Sequence, residues 1–187
     1  MPELAELMKQ ALIDSVKDCF KTTLNIDLID NDKINLPTVE RGIICSIGFA
    51  GKLEGSLSAV IVDTFACKVV GLMLGMEFPE LTSDVKDGFG EMGNIMAGGL
   101  KTRVSGAGFD FNISIPTIIV GEDLNISVPP YTVQILRHFQ SDDIAFDVIL
   151  DFKVRQENPK TTSDSIEGIK EAALARLKTL VIDKLDA

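Results

Sequence analysis

Glu91 and Asn94 are the residues of this sequence whose types and spacing could together carry out chemistry. They are three positions apart, so on a helix they lie one turn apart on the same face. An asparagine amide has one acceptor and two donors, and it can therefore hold a water molecule in a fixed orientation. Hydrolysis of an acyl phosphate needs little more from a protein than a positioned water and stabilised charge. The alternative is an ordinary solvated helix face, and the spacing alone does not decide between the two.

The segment 84–101 is the element that must position this pair. At about 100° per residue, its residues separate into two opposite faces of one helix. The apolar face comprises Val85, Phe89, Met92, Met96 and Leu100, and the polar face comprises Asp87, Glu91, Asn94, Gly98 and Lys101. Ser83 or Asp84 is the predicted cap, and the glycine turn in 105–110 the predicted end.

Glycines are unusually frequent in this predicted helix: Gly88, Gly90, Gly93, Gly98 and Gly99. Each interior glycine costs about 1 kcal/mol of helix stability relative to alanine. Absent side chains let a bulky neighbour approach closely. We therefore expect a helix that is buried by its apolar face and presents a carboxylate and a carboxamide on a bare ridge. Asp87, Gly90, Gly98 and Lys101 are the predicted partner-binding residues around that ridge.

The remaining elements predict an α+β fold, an antiparallel sheet with helices packed on it. Two helices, over 3–24 and from Asp63-Thr64 to Gly75, flank a hairpin of alternating strands within 43–62. Three further strands are predicted at 111–120, 131–140 and 144–154, with a turn at 121–123. Pro116 predicts an edge position or a break within the first of them. A polar segment at 157–164 and an amphipathic helix at 166–185 follow.

Composition limits the class of partner. The 187 residues predict one main domain, and a net charge of −10 argues against nucleic acid and anionic membranes as partners. No segment approaches the roughly 20 apolar residues of a membrane span, and the N-terminus is not that of a signal peptide. We therefore expect a cytoplasmic protein. Cys19, Cys45 and Cys67 lie among apolar residues, which favours buried free thiols.

Other kinds of site are not supported by the sequence. The segment 48–53 lacks the spacing and hydroxyl of a phosphate-binding loop, and Gly106-Ala107-Gly108 precedes a strand instead of a helix. His138 is the only histidine and is predicted on the solvated face of its strand, so a histidine-based triad is not expected. The pair Asp142-Asp143 is most simply a turn. No metal site is predicted.

The pattern Asp87-x-x-x-Glu91-x-x-Asn94, followed by Pro116, resembles the signature of the CheC/CheX/FliY phosphatases of bacterial chemotaxis. The pair Gly98-Gly99 and the hairpin 47–62 are also similar to this family. The resemblance extends over roughly residues 5–155 and implies a CheC-like fold. A single ExxN pattern resembles the CheX branch, whose members are homodimers.

The resemblance implies an enzyme that dephosphorylates a CheY-like response regulator carrying an aspartyl phosphate. Asn94 would orient the attacking water, and Glu91 would contact a lysine of the regulator. Asp87 would have a structural or rim role. The enzyme would need no cofactor of its own, since Mg²⁺ would belong to the regulator. The domain would cover 1–156, and the linker and added C-terminal helix of 157–187 have no assigned role.

Two other functions are compatible with the same residues. The first is a non-catalytic CheX-like module that docks receivers or flagellar switch proteins. The second is a structural homodimer without a receiver partner. The pairing of Glu91 with Asn94 on a ridge cleared by glycines argues for the enzyme, because an adaptor has little reason to combine them.

Overall fold

The computed structural model describes residues 2–33, 35–130 and 132–155 of the chain. Three helices and seven strands lie in these ranges. In chain order they are α1 (Pro2–Leu24), β1 (Ile29–Asp32), β2 (Thr38–Gly51), β3 (Leu53–Val62), α2 (Asp63–Leu74), α3 (Ser83–Ser105), β4 (Phe111–Ile113), β5 (Thr117–Asn125), β6 (Val133–Gln140) and β7 (Ala145–Val154).

The described strands form one antiparallel sheet in the order β1-β6-β7-β3-β2-β4. β2 is 14 residues long, and its outer side therefore accommodates two shorter strands. Residues 49–51 pair with β4, and residues 38–46 pair with β5. The predicted α+β fold, an antiparallel sheet with helices packed on it, is confirmed.

Alternation along β2 gives the sheet two different faces. Ile43, Cys45 and Ile47 point into the main core, which they share with the apolar residues of all three helices. Ile44 points the other way, into a smaller cluster with Val60 and Ile149, and none of the three described helices contributes to this cluster. The described helices therefore cover one face, which we call the helix face. The opposite face is called the open face.

β1 was not predicted. Its sequence, Ile-Asp-Asn-Asp, has no apolar alternation and is predicted as a polar segment before the first strands. Asp30 and Asp32 both form ion pairs with the buried guanidinium of Arg137 on β6. Charge pairing across the two strands, which no periodicity in the sequence shows, places this segment at the edge of the sheet.

The predicted strand 111–120 is broken around Pro116, as its proline indicated. β4 ends at Ile113 and β5 begins at Thr117. Proline has no backbone N–H to donate, so no interstrand hydrogen bond from this residue is lost at the break. The chain between the two strands forms a short loop at the edge of the sheet.

The predicted turn at 121–123 is wrong, because β5 continues through it to Asn125. Gly121 pairs with Gly42 of β2, and Leu124 packs against the small cluster on the open face. Continued pairing with the long β2 outweighs the local preference of glycine and aspartate for a turn.

The short second helix ends as predicted at Gly75, whose φ of 66° is the left-handed conformation that glycine adopts at low cost. Its N-cap is Val62, which forms no side-chain bond, so the predicted Asp63-Thr64 cap is wrong by one residue. None of the helices in the described ranges combines the length and apolar character needed to cross a bilayer. The predicted C-terminal helix and the domain boundary at 156 concern residues outside the described ranges and stay predictions.

Candidate functional site on α3

α3 is fixed by its apolar face and by a cap at its first turn. All five residues of the predicted apolar face are buried in the main core, together with Ala97 and Val104. The hydroxyl of Thr82 accepts a hydrogen bond from the backbone N–H of Val85 at 3.3 Å, so Thr82 is the N-cap. The predicted caps, Ser83 and Asp84, are the first helical residues, because the helix starts one residue earlier than its apolar period indicated.

Three of the five glycines of α3 allow close packing within the chain. A Cβ at each would lie 3.0 Å or less from a neighbouring side chain: Gly88 against Val70 of α2, Gly93 against Cys45 of β2, and Gly99 against Ser15 of α1. The expectation that the glycines mainly clear space for a partner is therefore corrected. They let α3 lie closely against two helices and the sheet, and this close packing fixes its rotation.

Gly90 and Gly98 have different surroundings. Gly90 is buried, and a Cβ there would be 3.7 Å from the side chains of Pro116 and Ile118, which is ordinary contact. Gly90 therefore lies beneath the loop that precedes β5 and not on the exposed ridge. A Cβ at Gly98 would have no atom within 4 Å. Gly98 is the position where the ridge is bare, one turn after Asn94.

Glu91 and Asn94 lie together on the exposed side of α3. Glu91 is exposed and Asn94 is half-buried. The Nδ2 group of Asn94 donates to Oε2 of Glu91 at 3.5 Å, a long and therefore weak hydrogen bond. Within the described ranges the Asn94 side chain has no other hydrogen bond, so its carbonyl oxygen remains available as an acceptor for water. The structure thus brings together the two residues that the sequence singles out.

The other predicted partner-binding residues lie on the same side. Asp87 is exposed one turn before Glu91, and Lys101 is half-buried near the end of the helix. The ridge, defined by Asp87, Glu91, Asn94 and Gly98, is acidic at its N-terminal half.

Two thiols lie directly beneath the ridge. The thiol of Cys19 on α1 is 3.7 Å from the carbonyl oxygen of Met92, and Cys45 lies under Gly93. Burial raises the pKa of both to about 11, so both are protonated and unreactive at neutral pH. The prediction of buried free thiols is confirmed for all three cysteines.

His138 is half-buried on β6, on the open face of the sheet and thus on the side opposite α3. Its Nδ1 lies 2.8 Å from Oδ1 of Asp147, whose other oxygen pairs with Lys33 at 2.8 Å. This cluster has no contact with the ridge. The described ranges contain no group of three or more histidine, cysteine or acidic side chains arranged to hold a metal ion.

Sequence reasoning missed the loop at 114–116 as a neighbour of the ridge. Pro116 indicated only a break in a strand, and nothing in the pattern showed that the break lies against Gly90. The loop packs on α3 through Pro116 at Gly90, and it carries Ile115, the most exposed large apolar residue of the described chain. The signal for this loop in the sequence was the proline itself.

The fold is that of the CheC-like proteins. A CheC-like superfamily protein from Shewanella sp. PV-4 has a TM-score of 0.71 at 26% identity, over 79% of this chain and 97% of that one. A chain of the CheX–CheY–BeF3–Mg²⁺ complex from Borrelia burgdorferi has a TM-score of 0.68 at 24% identity, over 77% of this chain and 96% of that one. At such identity the second match shows the fold alone.

The sequence matches identify the branch. The family model described as "Chemotaxis phosphatase CheX" matches residues 43–140. The "CheY-P phosphatase CheX" of Thermotoga maritima is 33% identical over 119 residues, which are 62% of this chain and 77% of that protein. The chain belongs to the CheX family of chemotaxis phosphatases, and the resemblance found in the sequence is confirmed.

Proposed function

We propose that this protein hydrolyses the aspartyl phosphate of a CheY-like response regulator. The observation that carries the proposal is the Glu91–Asn94 pair, held on an exposed ridge by a helix that its own glycines fix in rotation. Membership of a phosphatase family supports it, as does the similarity to a protein named as a CheY-P phosphatase. The same proposal places the protein in the cytoplasm, together with the regulator.

Asn94 is the residue proposed to orient the attacking water. Its carbonyl oxygen can accept a hydrogen bond from water while its amide group remains directed at Glu91. Restricting water to an in-line position lowers the entropic cost of the reaction, and positioning together with electrostatic stabilisation makes up almost all of what a protein contributes to phosphoryl transfer.

Glu91 is proposed to pair with a lysine at the phosphorylated site of the regulator, and this contact fixes the register of docking. The carboxylate is exposed and therefore able to form the pair. Mg²⁺ would be supplied by the regulator. This chain contributes the positioned amide and the docking carboxylate, and no step requires a metal ligand from it.

The test compares the decay of a regulator's aspartyl phosphate in the presence of the wild-type protein and of Asn94→Ala. We expect Asn94→Ala to bind the regulator and to lose the acceleration. Glu91→Ala should mainly raise KM, with turnover largely recovered at saturating regulator. Asn31→Ala is the matched control, because Asn31 is an exposed asparagine on β1, at the far edge of the sheet from the strand under α3.

Unchanged turnover in Asn94→Ala would contradict the assigned mechanism. Binding of the phosphorylated regulator without any acceleration by the wild-type protein would instead favour the non-catalytic docking module. Absence of both binding and acceleration would favour a structural homodimer.

We further propose that the protein forms a homodimer through β5. In the described ranges, β5 pairs with β2 on one side and with no strand on the other. Ile119 and Val120 on this strand are 45% and 44% exposed. A long edge strand with exposed apolar residues is a template for pairing with another chain.

Light scattering after size-exclusion chromatography tests the homodimer. We expect the wild-type protein to show the mass of two chains and Ile119→Lys to show the mass of one, because a lysine on an edge strand blocks pairing. Leu72→Lys on α2 is the control, since Leu72 is similarly exposed on another element. A dimer that survives Ile119→Lys would contradict the assignment of this edge.

A further inference from the structure

The loop at 114–116 holds an exposed apolar side chain on a rigid support. Ile115 is 85% exposed. Before it, the N–H of Ser114 donates to the carbonyl of Gly48 at 2.8 Å, and the N–H of Gly48 donates to the hydroxyl of Ser114 at 3.0 Å. After it, Pro116 packs on α3 at Gly90. Two anchors one residue on either side thus fix the backbone that presents Ile115.

The loop that carries Ile115 packs on α3 next to the ridge. Gly90, on which Pro116 packs, precedes Glu91 directly and lies one turn before Asn94, so it lies about 40° from Asn94 around the helix axis. On the far side of the ridge, Ile95 is 39% exposed one turn after Glu91. Around the helix axis, Glu91 and Asn94 therefore lie between the side of α3 on which the loop packs and the exposed Ile95.

The charge of the ridge does not favour a phosphorylated partner. Asp84, Asp87 and Glu91 are all exposed on the N-terminal half of α3, and the chain carries a net charge of −10. A phosphate and these carboxylates repel each other, and this repulsion offsets part of the attraction between Glu91 and a lysine of the regulator. Apolar contact beside the ridge is therefore a source of docking free energy that the charge does not oppose.

We propose that Ile115 is a docking contact for the apolar surface next to the aspartyl phosphate of the regulator. This inference rests on the proposed function and adds a specificity residue to it. Because its backbone is held before docking, Ile115 loses little conformational freedom when it is buried, and the contact is therefore efficient. Ile115 does not touch the reacting atoms. Its contribution is to affinity and register.

The experiment measures kcat and KM for dephosphorylation of the regulator by the wild-type protein, Ile115→Ala and Ile115→Leu. Burial of an aliphatic side chain predicts that Ile115→Ala raises KM about tenfold, and up to about fiftyfold for complete burial. We expect kcat to stay within about twofold, because the lost contact is made equally in the ground and transition states. Ile115→Leu should restore most of the affinity, since volume and apolar character are kept.

Leu72→Ala is the matched control, because Leu72 is an exposed apolar residue on α2 and outside the loop at 114–116. Its KM should equal that of the wild-type protein. Ile115 is too exposed for its truncation to unfold the domain, and an unchanged unfolding midpoint checks this directly.

An unchanged KM in Ile115→Ala, with a wild-type protein that accelerates the reaction, would overturn this inference and leave the proposed function intact. The inference would also be overturned if Ile115→Ala raised KM and made the homodimer dissociate in the absence of regulator. Ile115 would then contact a second copy of this chain. If the wild-type protein neither accelerates the decay nor binds the regulator, the proposed function fails, and this inference fails with it.

Discussion

Alanine at Gly98 should stabilise the protein and alanine at Gly93 should not, although both replace a glycine in the interior of α3. A Cβ at Gly98 would have no atom within 4 Å, whereas a Cβ at Gly93 would lie 2.4 Å from the buried sulfur of Cys45. Both variants gain about 1 kcal/mol of helix propensity. Only Gly93→Ala must also displace a packed neighbour, which typically costs about 1–3 kcal/mol.

The difference between the two variants therefore isolates the close packing, because the propensity gain is common to both. We expect Gly98→Ala to raise the free energy of unfolding by about 1 kcal/mol, equivalent to about 2–4 °C in Tm for a domain of this size. Gly93→Ala should be about 1–3 kcal/mol less stable than Gly98→Ala. Urea unfolding measures both, and an unchanged m-value shows that the comparison is valid.

Cys45→Ala provides the internal control. Without the sulfur, the nearest heavy atom to a Cβ at Gly93 would be Ile47 Cδ1 at 3.2 Å, and Cys45 Cβ would lie at 3.7 Å. Gly93→Ala should therefore cost less in a Cys45→Ala background, with a coupling energy of about 0.5–3 kcal/mol. Equal unfolding midpoints for Gly93→Ala and Gly98→Ala would refute the conclusion that Gly93 is required for close packing.

Two further predictions concern titratable groups in the same domain. Partial burial alone would raise the pKa of Asp30, but its bonds to Lys17 and Arg137 outweigh burial and hold the pKa below the ordinary value of 3.8. The contribution of Asp30 to stability is therefore present above pH 3.8 and is lost as the pH falls through its folded-state pKa. In acid, the midpoint of urea unfolding should therefore fall more steeply for the wild-type protein than for Asp30→Asn. Cys19 and Cys45, with pKa values raised to about 11, should resist alkylation in the native protein near neutral pH and react fully in urea; mass spectrometry that finds native adducts on either thiol would contradict their placement beneath α3.

The main core and the site pair could be predicted because both depend on periodicity. The apolar stripe of α3 fixed which residues would be buried, and the same period placed Glu91 beside Asn94. The glycines could not be interpreted in this way. Absence of a side chain is compatible with an approaching partner and with an approaching neighbour, and only the positions of Val70, Cys45 and Ser15 decide for the latter.

Elements held in place by charge or by long-range pairing were harder to predict from the sequence. β1 depends on Arg137, which lies more than 100 residues away along the chain, and β5 extends past Gly121 because β2 is long enough to pair with it. Pro116 correctly predicted a break, but its contact with Gly90 required the tertiary structure. The roles assigned to Glu91, Asn94, Asp87, Gly98 and Lys101 stay predictions, and so does partner contact by the buried Gly90.

The hairpin of β2 and β3 also determines how this domain is expected to fold. Only Lys52 separates the two strands, and their register runs without interruption from Ala50–Glu54 to Gly42–Val62. Such local pairing closes short loops and therefore has a low entropic cost, whereas α3 must be joined to the sheet over a longer separation in sequence. We expect the hairpin to be formed in the folding transition state and α3 to dock after it. Changes at Gly93 should then act mainly on the unfolding rate, and the lifetime of the assembled ridge would be set by how tightly α3 packs against β2.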